Sequence, residues 1–167
     1  MMSEVQTIPL KVPCYLVKTS SGFCLIDTGD SSDCANLEKA LRQAGVTPGN
    51  LKLALLTHGD FDHAGNAAYL QQKYGAKVAM HAEDAGMVKH GDQGWNRKAM
   101  ADYVTLFGKI IIFVSYQFVK PGSFHPFSPD LIVNDGDDLS AYGFEAKILH
   151  LPGHSKGSIG VLTVDGD

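Results

Sequence analysis

The stretch THGDFDHAGN, residues 57–66, brings His58, Asp60, Asp62 and His63 together within six positions. It follows LKLALLTH (51–58), a mostly apolar run of the kind that forms a strand buried on both faces. Gly59 allows the backbone to turn sharply where that strand ends. The residues after it must then lie in a loop leading into a helix that starts at 64. A loop can aim positions 58, 60, 62 and 63 at a common centre, which a strand or helix with this spacing could not. Imidazole and carboxylate are the usual ligands of zinc and other first-row divalent ions. Left empty, four such groups cost repulsion and desolvation; a bound dication offsets that cost and makes metal affinity part of folding stability. Taken singly, Asp62 would be the N-cap of the next helix, and a histidine at a strand end would be a polar surface residue. Taken together, the H-x-D-x-D-H spacing after an apolar strand favours the metal reading.

Working outward, VQTIPL (5–10), CYLVKT (14–19) and FCLIDT (23–28) read as strands broken by Pro13 and by Ser21-Gly22. Residues 33–44 set Ala35, Leu37, Leu41 and Ala44 at helical spacing, with Gly45 as the stop. A helix is expected over AGNAAYLQQKY (64–74), ended by Gly75, and a strand over KVAM (77–80). Residues 83–128 carry little clean alternation; helices are expected at 95–107 and 109–119, ending near Pro121-Gly122. Strands return at LIVN (131–134), FEAKILHL (144–151) and SIGVLTV (158–164). There is no internal repeat or low-complexity segment. Strands and helices interleaved in this way predict an α/β chain, sheets covered by helices.

At 167 residues the chain is read as one domain with a real core. Its composition, 44% hydrophobic and 19% charged, is that of a soluble globular protein. A net charge of -4 argues against a nucleic-acid surface built on bulk positive charge. Cys14, Cys24 and Cys34 lack paired spacing and read as reduced thiols of a cytoplasmic protein. MMSEVQTIPL has neither the basic nor the apolar region of a signal peptide. The most apolar run, IIIFV (110–114), is too short to span a bilayer and fits a buried helix or a hydrophobic lid.

A further histidine stands out in LHLPGHSKGSIG (149–160), where His154 sits on a Pro-Gly turn directly after a strand. THGDFDHAGN, then PGHSKGS, with LIDTG (25–29) upstream, resembles the metallo-β-lactamase-fold hydrolase superfamily. The resemblance implies an αβ/βα four-layer sandwich, two mixed sheets face to face with helices outside and metals held by loops at one edge. By the same resemblance His58, Asp60 and His154 would form a first metal site, and Asp62 and His63 would contribute to a second. Asp27, matching the aspartate of the family's D-T-G turn, would hydrogen-bond within the metal-loop region; on its own it reads equally as an Asx-turn residue before Gly29. His81, His90, His125 and His150 share no spacing and are read as structural, with His125 in the segment that often borders the substrate in this family.

Two features depart from the family pattern. Position 60 is Asp where the usual member has His, giving two imidazoles and one carboxylate. That set suits zinc and also resembles the triad that holds non-haem iron, so iron or manganese becomes an alternative to zinc. The family's bridging aspartate and last histidine fall past a further hairpin, and this chain stops at Asp167, before either. The domain is therefore expected to be incomplete at its C-terminus and to self-associate through the exposed edge of the strand at 158–164. The resemblance implies a metal-dependent hydrolase for a small ester, thioester, lactone or related molecule, with Asp62 orienting the attacking water and apolar residues of 100–119 lining the pocket. The alternatives are a diiron-type oxidoreductase, like the members with a carboxylate in the metal loop, and a non-catalytic metal-binding fragment.

Overall fold

The central strands are apolar on both faces because each face meets its own core. In the computed structural model, which describes residues 4–95, 105 and 124–163, β1 (Glu4–Ile8), β2 (Cys14–Thr19), β3 (Gly22–Ile26), β4 (Leu51–Leu55), β5 (Lys77–His81) and β6 (Leu131–Val133) lie side by side in chain order. The first three pair antiparallel; β3 through β6 run parallel. A second sheet pairs β7 (Ala146–His150) with β8 (Ile159–Thr163), antiparallel.

Strand alternation sorts the side chains between two cores. Leu16, Leu25, Ala54, Leu56, Val78 and Met80 pack against Leu37 and Leu41 of α1 (Cys34–Gln43), against Ala67, Leu70 and Tyr74 of α3 (Ala67–Tyr74), and against Val88 of α4 (Ala82–His90). Their neighbours in sequence, Val17, Cys24, Leu53, Leu55 and Ala79, face the second sheet and meet Phe144, Ala146, Ile148 and Ile159. Each fully buried Leu or Ile side chain contributes roughly 1.5–3 kcal/mol. Helices, mixed sheet and second sheet thus make three stacked layers among the described residues.

Most elements lie within two residues of their expected bounds, with differences that have physical causes. The helix expected over 64–74 is two: the short α2 (Phe61–Ala64) and then α3. Gly65 and Asn66 separate them because Asn66 turns its side chain onto the loop after β3, donating from Nδ2 to Thr28 O at 2.6 Å and to Asp30 O at 2.9 Å. Consequently the N-cap position of α2 is Asp60, not Asp62, and its carboxylate makes no capping bond. The strand expected to run to His58 ends at Leu55. Helix α4 was not anticipated as an element. The expectations for 96–104 and 106–123, with the helices at 95–107 and 109–119, IIIFV and its pocket-lining role, lie outside the described residues. No helix among the described residues is long and apolar enough to cross a membrane.

Candidate metal centre

Because β3 to β6 run parallel, the loops leaving their C-terminal ends collect on one side, the usual position of sites in such sheets. Two of these loops, after β3 and β4, meet the turn between β7 and β8 there. Ile159 N donates to Thr57 O at 2.9 Å, which ties that turn to the loop after β4.

The three groups that converge are His58, Asp60 and His154. One ligand atom from each lies within 4.8 Å of the others. Asp60 Oδ2 is the hub, 3.4 Å from His58 Nε2 and 2.9 Å from His154 Nε2. Asp60 is buried, while the His154 side chain is 65% exposed, so the cluster opens to solvent on the His154 side. His63 stands against His58, ring centroids 4.0 Å apart, and its Nε2 is 3.9 Å from Asp62 Oδ2. Asp62 and His63 therefore form a second pair beside the first three residues.

Asp27 sets the orientation of both neighbouring imidazoles. It is the only non-glycine among the described residues with positive φ, at 58°, a conformation that costs of order 1–3 kcal/mol. That geometry lets Asp27 N donate to Leu55 O at 2.8 Å while the carboxylate turns onto the metal loop. Thr57 N and Thr57 Oγ1 donate to it at 2.8 to 3.0 Å, and His63 Nδ1 lies 2.8 Å from its Oδ2. The Thr57 hydroxyl, already donating to Asp27, can only accept from His58 Nδ1 at 3.0 Å. In the neutral imidazoles the network thus places the hydrogens of both His58 and His63 on Nδ1 and leaves each Nε2 with its lone pair facing the cluster. Burial lowers the pKa of His63, but the hydrogen bond and charge of Asp27, with Asp62 and Asp60, more than offset this and hold it above its ordinary value.

This donor set fits a divalent ion. With His58 neutral, its Nε2 and Asp60 Oδ2 are two acceptors 3.4 Å apart, an arrangement that a cation relieves. Metal–ligand bonds of about 2.0–2.1 Å place neighbouring ligands of a tetrahedral ion about 3.4 Å apart; His58 Nε2 and Asp60 Oδ2 have that separation, while His154 Nε2 sits at the hydrogen-bonding distance of 2.9 Å from Asp60.

The neighbouring backbone is packed to hold this arrangement. A Cβ on Gly65 would come within 2.5 Å of Ser31 N and 2.6 Å of both Gly29 O and Phe61 O. Thr28 donates from both N and Oγ1 to His63 O, at 2.7 and 2.8 Å. Thr57, Thr28 and Asn66 were not singled out from the sequence, although each lies within a motif that was. Of the histidines read as structural, His81 and His150 stack with centroids 4.1 Å apart, His90 stacks on Trp95, and His125 is exposed.

The family profile described as the metallo-beta-lactamase superfamily matches residues 7–167. The chain belongs to this superfamily. Among curated relatives, hydroxyacylglutathione hydrolase GloC of Haemophilus influenzae is 34% identical over 114 residues, 68% of this chain and 44% of that protein. Acyl-coenzyme A thioesterase MBLAC2 of Gallus gallus is 28% identical over 152 residues, 87% of this chain and 50% of that protein. This superfamily member thus spans about half the length of those relatives. The subclass B3 metallo-beta-lactamase BJP-1 of Bradyrhizobium japonicum superposes with a TM-score of 0.75 at 20% identity, over 96% of this chain and 53% of that one. GOB-18 of Elizabethkingia meningoseptica gives 0.74 at 24% identity over 96% and 53%. These likenesses establish the α/β metallo-beta-lactamase fold expected from the sequence.

Proposed function

We propose that the chain is a metal-dependent hydrolase of a small ester, thioester, lactone or related substrate. The convergence of His58, Asp60 and His154 at the loop end of the sheets carries this reading. Those three residues would hold one divalent ion, zinc first, with iron or manganese as alternatives because of the carboxylate at 60. Asp62 and His63 would contribute to a second. An ion bound there supplies Lewis acidity toward an acyl or phosphoryl oxygen and brings the pKa of water toward neutrality.

The protein's own groups do the rest. Asp27 keeps His58 and His63 in one tautomer and orientation. Asp62, its side chain 34% exposed and its Oδ2 3.9 Å from His63 Nε2, would orient the attacking water by accepting a hydrogen bond from it. Hydroxyacylglutathione and acyl-coenzyme A, named for two relatives, are both thioesters, which makes thioesters the first class to assay.

The test is hydrolysis of a panel of thioesters, lactones and phosphodiesters by protein stripped with chelator and reloaded with zinc, iron or manganese. Activity should depend on metal, and Asp62→Asn should lose about 10²–10⁴-fold. Hydrolysis that persists in a His58→Ala/His154→Ala double variant would overturn the proposal. The carboxylate at 60 favours one second reading, the diiron-type oxidoreductase. Protein purified with iron, inert toward the panel and undergoing reversible oxidation, would support it instead.

A further inference from the structure

Helix α4 carries a buried carboxylate that belongs neither to the three converging candidate ligands nor to the Asp62–His63 pair. Asp84, in the first turn of α4, is 1% exposed. Its Oδ2 accepts from Gly59 N at 3.1 Å and from Ser155 Oγ at 2.6 Å, and its Oδ1 accepts from Gly157 N at 2.9 Å. Gly59 lies between His58 and Asp60 in sequence, and Ser155 follows His154. Every residue of the converging triad is therefore next in the chain to a group held by one carboxylate.

The packing shows how closely the helix is seated. A Cβ on Gly157 would fall 2.7 Å from Asp84 Cγ and 2.9 Å from Asp84 N, and one on Gly59 would fall 3.0 Å from Met87 Cβ. Both loops thus present bare backbone to the first turns of α4. Ser155 is fixed further, since its N donates to Ser158 Oγ at 3.0 Å. The same turn is steadied from its outer side, where His150 Nε2 lies 2.8 Å from Lys156 O.

We propose that Asp84 is a positioning residue that sets the separation of His154, on one loop, from His58 and Asp60, on the other. The inference rests on the reading above that these three residues hold a metal. His154 is the exposed member of the triad and comes from the second sheet, so its distance from Asp60 depends on how the two loops are joined. Asp84 joins them through a single rigid group, with one oxygen shared between Gly59 and Ser155 and the other on Gly157. An amide in its place offers one acceptor oxygen, so in either orientation its NH2 group faces a backbone N–H, that of Gly157 or that of Gly59, and at least one of the three bonds gives way to two opposed donors.

The experiment compares Asp84→Asn, Ser155→Ala and the remote core variant Val46→Ala with the unaltered chain, using Co(II) as the probe. Affinity is measured by competition titration, ligand geometry by the visible ligand-field spectrum, and stability by thermal unfolding. Asp84→Asn should bind Co(II) about 10–100-fold more weakly with altered bands, and Ser155→Ala several-fold more weakly. Val46→Ala should lower the melting temperature with affinity and bands unchanged. An Asp84→Asn protein that is less stable yet binds Co(II) with unaltered affinity and spectrum would overturn the inference. Should Asp84→Asn not fold, unaltered binding in Ser155→Ala overturns it. If the unaltered chain binds no Co(II), the metal reading fails on its own. The positioning role is then read in metal-free protein by amide hydrogen exchange: faster exchange confined to 58–60 and 153–158 in the variant supports it, and unchanged exchange there overturns it.

Discussion

Asp27 Oδ2 lies 2.8 Å from His63 Nδ1, and the same carboxylate accepts two bonds from Thr57, whose hydroxyl contacts His58 Nδ1. One strained aspartate therefore fixes the proton positions of two imidazoles. Asp27→Asn cannot keep the whole set: with its oxygen toward His63 it loses the bond from Thr57 N, and with its oxygen toward Thr57 N it turns an NH2 group onto His63 Nδ1. Metal affinity should fall about 10–100-fold, read by competition against a chromophoric chelator. Asp27→Gly relieves the positive φ yet removes the acceptor, and should bind as weakly as Asp27→Asn. Full affinity in Asp27→Gly would show that the backbone turn, and not the carboxylate, organises the loop.

The convergence of the candidate ligands was legible in the sequence because they sit in short local motifs: His58, Asp60, Asp62 and His63 in one loop, and His154 on a Pro-Gly turn. The layers were legible because LKLALL alternates between two cores, each apolar. What the sequence hid is carried by tertiary contact. Asp84 lies in HAEDAGMVKH (81–90), a stretch with little apolar periodicity and a glycine in its middle, which lowers helix propensity. In the structure Trp95 packs directly on that glycine, where a Cβ would overlap its indole Nε1. The split between α2 and α3 was hidden likewise, since nothing local to 64–74 announces that Asn66 will bond the loop after β3.

Asp60 should set metal preference. Its oxygen is shared between His58 and His154, so replacing it changes the charge of the whole set. Asp60→His should raise selectivity for zinc over iron and manganese, because imidazole is a softer ligand than carboxylate. Elemental analysis after equilibration with equimolar mixtures gives the ratio. An unchanged preference would refute the assignment of Asp60 as a ligand.

Gly65 and Gly45 should tolerate alanine differently. Gly65 has an ordinary helical φ of -57° but no room, with three backbone atoms within 2.6 Å of an added Cβ. Gly45 has φ of 84° and nothing within 4 Å. Gly45→Ala should cost about 1–2 kcal/mol of torsional strain with metal affinity unaffected. Gly65→Ala should cost about 3 kcal/mol or more by overpacking and should weaken metal binding, because it pushes the loop after β3 away from the metal loop. Urea unfolding and chelator competition on the two variants separate the cases; equal effects would refute the steric account.

The cysteines predict an alkaline limit to stability. Cys14, Cys24 and Cys34 are all free thiols. Burial, helped by the charges of Asp27 and Asp33, pushes the Cys14 thiol up to about 12, and burial alone does the same to Cys24. Cys34 is raised as well, by burial and Glu38 against the opposing charge of Lys73. At pH 8 a thiol reagent should therefore label Cys34 first and reach Cys14 and Cys24 only on unfolding. In the unfolded chain Cys14 and Cys24 ionise near their ordinary 9.0, while the native state still holds both protons. Stability then falls with rising pH, since the unfolded state binds fewer protons. Their contribution is complete below about 9 and is lost progressively up to about 12. Lysines and tyrosines titrate in the same range, so the measurement is the difference in urea midpoint between the unaltered chain and a Cys14→Ala/Cys24→Ala variant from pH 8 to 11. That difference should shift in favour of the variant as pH rises. A constant difference, or rapid labelling of both buried thiols at pH 8, would mean that the two cores open more readily than their packing implies.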